Sequence, residues 1–401
     1  MGRSGGGEDR RLEPAAVSWP RLLGLFLRIG AIGFGGGMAV IALMERELVD
    51  ERRLMPAEEF LHGVGLSQVL GPFAVNAAFF VGYRRHGLLG GLSASAAFLA
   101  PSVAAVIALS ALYFRYHHVP ALAGALAGLG PMVIALILAA AWSMGQKAVT
   151  SWTAAGLAVA GLAAGILKIN VVWVLLAAGA VGLLLRREGG VSPDEPHAPP
   201  VAPSGGGPGS DERVARLLPV VAPAGVPSAG LIALLLTFAK VGLGFFGGGF
   251  VLVAILRQEL VGTLRWLTPR EFLDGVAIST LTPGPIAVLA TFAGFKLHGV
   301  GGALVATLGL FAPALALMTV LSAAYTRFRA SRRLHAFMAG VGPAVVGLVA
   351  AAAVLLWPTG IASWRALVAM VVALALLVRW RWHPAFVLAL GVAAALVGWV
   401  P

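Results

Sequence analysis

Long apolar runs follow one another along almost the whole chain, and this pattern constrains the fold more than any other feature. In the first half they lie near 20–44, 58–83, 88–114, 120–146, 151–167 and 170–185, and in the second near 230–256, 271–296, 299–325, 336–357, 360–378 and 384–399. Most reach the roughly 20 residues that an α-helix needs to cross about 30 Å of hydrocarbon, and all exceed the roughly 10 residues of a membrane β-strand. The pattern therefore predicts an all-α polytopic membrane protein.

The composition agrees with lipid as the main solvent of this chain. Of its 401 residues 59% are hydrophobic and 11% are charged, whereas soluble domains average about 45–50% apolar and about 25% charged residues. The net charge of +12 comes from Lys and Arg that lie mostly between the apolar runs, as in membrane proteins, so no nucleic-acid partner is expected. The first 20 residues lack the pattern of a cleaved signal peptide, so the first apolar run is interpreted as a retained membrane segment.

The sequence offers little to a metal, a cofactor or a catalytic centre. It has no cysteine, its 8 histidines show no metal-ligand spacing, and it lacks a Walker motif for phosphate binding. We therefore expect no cofactor, no bound metal and no enzymatic activity. An integral-membrane enzyme that acts on lipid phosphates is the less favoured alternative, because the sequence shows no cluster of acids or histidines that would support it.

The two halves of the chain are similar in sequence. Phe26-Leu27-Arg28-Ile29-Gly30 returns as Phe238-Ala239-Lys240-Val241-Gly242, an offset of 212 positions. The same offset relates Glu47 to Glu259, Glu59 to Glu271, His86 to His298, Pro101 to Pro313 and Pro131 to Pro343. This duplication divides the chain into an N-terminal tail (1–19), a first transmembrane repeat (20–185), a flexible Pro/Gly-rich linker (186–228) and a second transmembrane repeat (229–401).

Loop charges indicate that the two repeats lie in opposite orientations. In the first half Lys and Arg concentrate before the first apolar run and after even-numbered runs, whereas in the second half they concentrate after odd-numbered runs. Equivalent loops thus carry opposite charge biases, which predicts inverted repeats of two homologous helical bundles. Six complete crossings in each half would leave the repeats parallel, so one run is miscounted or one segment is re-entrant.

A glycine-rich block interrupts the first apolar run of each repeat. Each glycine costs about 1 kcal/mol in a helix, so the blocks predict broken helices whose N-terminal N–H groups suit an anion. Close packing of helices through small residues is the alternative. Arg28 and Lys240 precede the blocks inside the same runs and are candidates to bind the anion, unless their side chains reach the membrane surface. The glycines are Gly35, Gly36 and Gly37 in the first half and Gly247, Gly248 and Gly249 in the second.

A proline–glycine break forms the second duplicated element. Proline and glycine interrupt a helix and leave backbone groups free, and neutral hydroxyl or amide groups beside them suit an oxyanion that must bind, cross and leave. A simple kink is the alternative. The candidate substrate-binding residues here are Ser67, Gln68, Gly71, Pro72 and Asn76 in the first half, and Ser279, Thr280, Thr282, Pro283, Gly284 and Pro285 in the second.

Acidic residues follow both glycine blocks. Glu47 and Glu259 lie ten positions after the last glycine of each block, while Glu59, Glu271 and Asp274 open the next apolar runs. A carboxylate within the membrane can carry a coupling proton when burial makes its charge costly. Glu47 and Glu259 are therefore candidates for proton coupling, and a solvated acid in a loop or at a helix start is the alternative.

Together these motifs resemble the chromate ion transporter family, in its long two-domain bacterial form. The resemblance implies a secondary transporter of the bacterial inner membrane that exports chromate and confers resistance to it, with sulfate as the related oxyanion. The two halves differ at one point, because Leu70-Gly71-Pro72 stands where the second half has Pro283-Gly284-Pro285. The motif residues carried over are Arg28, Gly35, Gly36, Gly37, Glu47, Gly71, Pro72 and Asn76, then Lys240, Gly247, Gly248, Gly249, Glu259, Pro283, Gly284 and Pro285.

We therefore expect alternating access around a site between two inverted repeats. The expected partners are chromate or a sulfate-like oxyanion and the lipid bilayer, with a second copy of the chain in a homodimer as a further candidate. An importer or exchanger of sulfate or another small oxyanion is the nearest alternative, because nothing in the sequence distinguishes tetrahedral dianions by size. A purely structural membrane scaffold would leave the duplicated breaks unexplained.

Overall fold

The structure is a computed structural model, and it describes residues 18–33, 37–69, 72–116, 124, 126–188, 230–244, 249–323 and 332–399. Within these residues the chain is helical without any strand, which confirms the all-α prediction. The first repeat contains α1 (Trp19–Ile32), α2 (Gly37–Glu45), α3 (Ala57–Val69), α4 (Phe73–Tyr116), α5 (Leu129–Ala148), α6 (Trp152–Ile166) and α7 (Val171–Glu188). The second contains α8 (Leu231–Leu243), α9 (Gly249–Leu256), α10 (Pro269–Leu281), α11 (Leu289–Ala323), α12 (Arg332–Gly360), α13 (Trp364–Val378) and α14 (Pro384–Leu396).

Each of α1–α7 has a counterpart in α8–α14, so the duplication in the sequence is also a duplication of structure. α2 and α9 both continue into a π-helical turn, at Arg46–Glu51 and Arg257–Thr263. α6 and α13 both begin after a serine, Ser151 or Ser363, whose side chain accepts a hydrogen bond of 3.2 Å from the backbone three residues on. Local signals that start and interrupt helices therefore recur at equivalent positions.

The first apolar run of each repeat is a folded-back pair of helices. α1 ends at Ile32 and α2 begins at Gly37. Arg28 and Glu47 form an ion pair with 3.6 Å between nitrogen and oxygen, although a continuous helix would separate the two residues by roughly 28 Å at about 1.5 Å per residue. The ion pair of Lys240 with Glu259, at 3.0 Å, requires the same reversal between α8 and α9. The apolar runs 20–44 and 230–256 are therefore each folded back on themselves, and the helix breaks predicted at the glycines are confirmed.

The second apolar run is folded back in the same way. α4 is divided by a turn at His86-Gly87 and α11 by one at His298-Gly299, and we call the parts before and after each turn the first and second arms. Arg84 in the first arm of α4 pairs with Glu59 of α3, and Lys296 in the first arm of α11 pairs with Glu271 of α10 at 2.6 Å. A β-carbon added to Gly63 of α3 would collide with the ring of Phe80, so α3 and the first arm of α4 lie side by side. The single spans predicted over 58–83 and 271–296 are each two short helices that meet at the proline–glycine break.

α4 and α11 each reverse once more, at a His-Gly pair. Gly87 has φ +63 and Gly299 has φ +58, a left-handed conformation that L side chains rarely adopt. Ser95 lies beyond the turn, and its Oγ donates to the carbonyl of Val75 in the first arm at 3.4 Å. The predicted boundaries between runs 58–83 and 88–114, and between 271–296 and 299–325, are confirmed at these turns.

The two repeats lie antiparallel to each other. α5 and α12 are counterparts that pack side by side, with Gly130 at the start of α5 against Gly360 at the end of α12. Gly342, in the first half of α12, faces Ala148 at the end of α5. The two counterparts therefore run in opposite directions, as inverted repeats require, and the prediction from loop charges is confirmed.

The outer surface and the helix lengths fit an integral membrane protein. In the described chain, four helical segments are long and apolar enough to cross a membrane, namely Phe73–Tyr116, Leu129–Ala148, Ile286–Ser322 and Ala339–Gly360. Large apolar side chains such as Trp152, Ile232 and Leu308 are exposed. Such a surface is stable where lipid, not water, covers it.

Candidate functional site

The interrupted helices of the two repeats meet at one point of the seam between them. We call residues 33–37 and 244–249 the glycine turns, and residues 70–72 and 282–285 the proline breaks. The backbone N–H of Gly284 in the second proline break donates to the carbonyl of Gly33 in the first glycine turn, at 2.9 Å. Ser102 of α4 donates its hydroxyl to the carbonyl of Pro283. Two motifs that the sequence presents far apart are thus in direct contact.

This contact has a strict steric requirement at Gly284. Its φ is +98, and a β-carbon added there would overlap the hydroxyl oxygen of Ser102. A side chain would therefore be strained in its backbone, and the Ser102 hydroxyl would have to rotate away from the Pro283 carbonyl to make room for it. Glycine at this position allows the tip of one repeat to approach the backbone of the other.

Two helix starts follow the contact closely along the chain. α2 begins at Gly37, four residues after Gly33, and a single 3-10 turn begins at Ile286, two residues after Gly284, and leads into α11. The first N–H groups of a helix have no intrahelical acceptor, and the aligned peptide dipoles make that end partly positive. Each of these two backbone ends therefore favours a negative charge.

The predicted hydroxyl donors are buried, apart from the half-buried Thr280, and their hydrogens are engaged by nearby backbone carbonyls. Ser67 Oγ donates to the carbonyl of Gly63 at 2.7 Å, and Ser279 Oγ donates to the carbonyl of Gly275 at 2.8 Å. Thr280 and Thr282 make similar bonds, to Val276 at 2.8 Å and to Ser279 at 3.0 Å. These hydroxyls can donate to an anion only after rotating away from a helix carbonyl.

The predicted cations and the predicted acids pair with each other. Arg28 lies 3.6 Å from Glu47, which also accepts from Arg52 at 3.1 Å. Lys240 lies 3.0 Å from Glu259 at the equivalent place in the second repeat. The side chains of Arg28 and Lys240 are 59% and 56% exposed, whereas that of Glu47 is 6% exposed. From the sequence, Arg28 and Lys240 are candidates for anion binding, and Glu47 and Glu259 are candidates for proton coupling. In the structure each of these cations forms an ion pair with one of these acids.

Some predicted residues lie outside what the structure describes. Of the others, Asn76 is fully buried in the first turn of α4, and Pro72 directly precedes that helix. The backbones of Gln68, Gly37 and Gly249 are helical, without a described side-chain environment for Gln68. The glycines outside the described residues are Gly35, Gly36, Gly71, Gly247 and Gly248.

Ser102 is a residue of the seam that the sequence did not single out. It follows Pro101, one of the duplicated prolines, but its counterpart is Ala314, so the repeat offers no signal for it. Its role depends on a partner 181 residues away in the chain. Only the three-dimensional arrangement of the repeats shows that contact.

An apolar groove lies apart from this site. It has a volume of about 770 Å³ and runs between the second arms of α4 and α11, past Leu92, Leu99, Leu304 and Phe311. Its walls are almost wholly apolar, so it does not suit an oxyanion. In the described part of the chain, no group of three or more His, Asp or Glu side chains could hold a metal ion.

Comparison with known proteins adds an independent observation. A family model described as "Chromate transporter" matches the chain twice, over residues 20–183 and 232–399. The chain is 33% identical to the chromate transport protein of Pseudomonas aeruginosa over 365 residues, which cover 84% of this chain and 81% of that protein. It is 32% identical to the probable chromate transport protein of Synechococcus elongatus over 346 residues, 85% of each chain. With the chromate transport protein of Cupriavidus metallidurans it shares 30% identity over 371 residues, 90% of this chain and 88% of the other. No solved structure matches the chain.

Proposed function

The chain belongs to the chromate transporter family, which is a family of transporters and not of enzymes, and from this premise we propose that it exports chromate across a bacterial inner membrane and so confers resistance to it. The observation that carries the proposal is the contact of the Gly284 N–H with the Gly33 carbonyl. It joins a broken helix of each repeat at the seam, next to two helix starts. Transporters with inverted repeats commonly bind substrate at such places.

In the proposed site, chromate lies between the start of α2 and the start of the segment at Ile286. Backbone N–H groups meet the oxyanion there, and neutral hydroxyls such as Ser279 hold it weakly enough to let it leave. Arg28 and Lys240 supply the opposite charge by exchanging Glu47 and Glu259 for the anion. Both cations need only rotate a long side chain, since more than half of each side chain is exposed.

Movement of the two repeats against each other completes the mechanism. We propose that residues 20–185 and 229–401 are the two moving units, connected by the linker 186–228 and preceded by a tail at 1–19. Rocking at the seam opens the site first to one side of the membrane and then to the other, which is alternating access. An inside-negative potential favours export, because moving a dianion outward gains roughly 4–5 kcal/mol per 100 mV.

The test is chromate flux into and out of proteoliposomes that contain the purified protein. We expect Arg28→Ala and Lys240→Ala each to lower the initial rate at least tenfold, because each removes a charge that faces the dianion. Exposed Arg365, at the start of α13, is a matched control, and Arg365→Ala is expected to keep the wild-type rate. Wild-type rates in both site variants would refute the assignment of the site. A wild-type protein that exchanges sulfate or molybdate but not chromate would replace the export proposal by the oxyanion-exchanger alternative.

A further inference from the structure

A buried carboxylate lies at the seam and belongs to neither of the duplicated ion pairs. Asp274 of α10 is 2% exposed. Its Oδ2 accepts from the hydroxyl of Tyr113 at 2.9 Å and from Nε of Arg270 at 3.2 Å. Its Oδ1 is buried and has no hydrogen-bond partner within the described residues. Tyr113 lies at the end of α4, so the bond connects the second repeat to the first.

The surroundings of Asp274 compensate its charge only in part. Arg270 is its one ion-pair partner among the described residues, and 36% of the Arg270 side chain faces outward. Tyr113 is 6% exposed and packs against Phe114 and Phe292, at ring-centroid distances of 4.9 Å and 5.5 Å. A carboxylate with an unpaired oxygen in such an apolar wall is costly, and a bound proton removes that cost.

Other titratable groups belong to α10 or to helices packed against it but do not bond to Asp274. Glu271 of the same helix is neutralised by Lys296 of α11 at 2.6 Å. α10 also packs against α5, α12, α14 and the π-helical turn 257–263. Their titratable residues are Lys147 in α5, Arg332, Arg333 and His335 at the start of α12, His383 before α14, and Arg257 and Glu259 in the turn. α4 and α11, which also pack against α10, carry in addition Tyr83, Arg84, Arg85, His86, Arg115 and Tyr116, and His298. Of those whose side chains are described, none forms a hydrogen bond or an ion pair with Asp274.

The acid is also specific to one repeat. Its counterpart at the 212-residue offset is His62, and that of Arg270 is Glu58. The pair of Glu59 with Arg84, by contrast, recurs as Glu271 with Lys296. A pair needed only to hold the common architecture would be present in both repeats. Asp274 is therefore not part of the ion-pair pattern that the two repeats share.

We propose that Asp274 binds and releases a proton during the transport cycle, so that anion movement is coupled to proton movement. This inference rests on the proposed transport function. The proton adds to the carboxylate, and the Tyr113 oxygen can accept a hydrogen bond from the resulting acid, since a phenol both donates and accepts. Protonation removes the carboxylate charge that binds Arg270. In the hydrogen bond between the repeats, Asp274 then donates and the Tyr113 oxygen accepts. Proton occupancy thereby changes a contact that the alternating motion must rearrange.

The experiment measures chromate flux and proton flux together in proteoliposomes with a trapped pH-sensitive dye and a clamped potential. We expect the wild type to move protons and chromate in a fixed ratio. Asp274→Asn keeps the size and one acceptor but cannot bind the proton, so we expect its chromate counterflow to stay within about twofold. After subtraction of protons carried by chromate itself, which are common to both proteins, we expect its protons per chromate to fall at least tenfold. Glu51→Gln, at the exposed pair with Arg46, is the control and should keep the wild-type ratio.

A second variant keeps the inference falsifiable if Asp274→Asn is unstable. Tyr113→Phe retains the carboxylate and removes a donor that favours its charged form, so the midpoint of the pH profile of coupled flux should move upward by about one pH unit. An unchanged proton ratio in Asp274→Asn, or an unchanged midpoint in Tyr113→Phe, overturns the inference. Chromate flux without any proton movement in the wild type also overturns it, but leaves the transport proposal standing. A wild type that moves no chromate refutes the transport proposal itself.

Discussion

Replacing Gly284 with alanine tests whether the contact between the repeats depends on close approach of their backbones. The substitution adds one β-carbon where the hydroxyl of Ser102 already lies, and it does so at φ +98. Both consequences are destabilising, but they have different causes. The backbone strain belongs to Gly284 alone, whereas the overlap requires Ser102 as well.

The expected magnitude follows from these two terms. A left-handed backbone costs an L-residue about 1–2 kcal/mol, and overpacking a tight contact costs about 1–3 kcal/mol. Gly284→Ala should therefore lower the free energy of unfolding by roughly 2–5 kcal/mol. Adding Ser102→Ala removes the hydroxyl but leaves the β-carbon of residue 102 at 3.2 Å from the new one. It should therefore return part of the overpacking term and leave the backbone term, a coupling of roughly 1–2 kcal/mol.

Unfolding in mixed micelles measures these terms, with chromate flux as a parallel readout. Gly299→Ala is a matched control for strain, because Gly299 has φ +58 and no atom within 4 Å of an added β-carbon. Gly301→Ala, in the helical arm of α11 and equally open, controls for the substitution itself. We expect stability to fall in the order Gly301→Ala, Gly299→Ala, Gly284→Ala. A Gly284→Ala protein as stable as Gly301→Ala, with no rescue by Ser102→Ala, would refute the steric reasoning.

Two further substitutions address the arms and the ion pairs. Gly82→Val should lower the free energy of unfolding by about 2–5 kcal/mol, because even a β-carbon there would collide with the carbonyl of Gly90 in the opposite arm. Unfolding in mixed micelles measures this loss. A loss of stability smaller than that of Gly299→Ala would contradict the close packing of the two arms. Glu259→Gln should lower the KM for chromate severalfold, since it releases Lys240 from its partner at 3.0 Å. Initial rates over a series of chromate concentrations measure the KM. A raised KM would mean that anion binding requires the intact ion pair of Lys240 with Glu259.

The duplicated pattern of the sequence predicted the helices and their interruptions. Gly33 to Gly37 and Pro283 to Pro285 mark places where local backbone chemistry disfavours a continuous helix. Such chemistry acts within a few residues and therefore can be found without a structure. The opposite orientation of the repeats could also be predicted, because loops rich in Lys and Arg tend to remain on the cytoplasmic side of the membrane.

Long-range contacts set the limit of that prediction. A glycine allows a chain to kink or to reverse, and only the pairing of Arg28 with Glu47 decides that it reverses. Tyr113 and Asp274 stand 161 residues apart, so no local pattern joins them. The sequence identified Asp274 only as an acid at a helix start, where solvated acids are common. Its burial depends on α4 of the other repeat.

The contact of Gly33 with Gly284 also has a consequence for biosynthesis. About 250 residues separate the two partners, and ribosomes add roughly 5–20 residues per second. The first repeat therefore waits roughly 10–50 s in the membrane before its partner emerges. During that interval the Gly33 carbonyl and the side of α5 that α12 later covers lack their partners in the second repeat. Correct assembly of this transporter must depend on how well the first repeat holds its folded-back arms while it is alone.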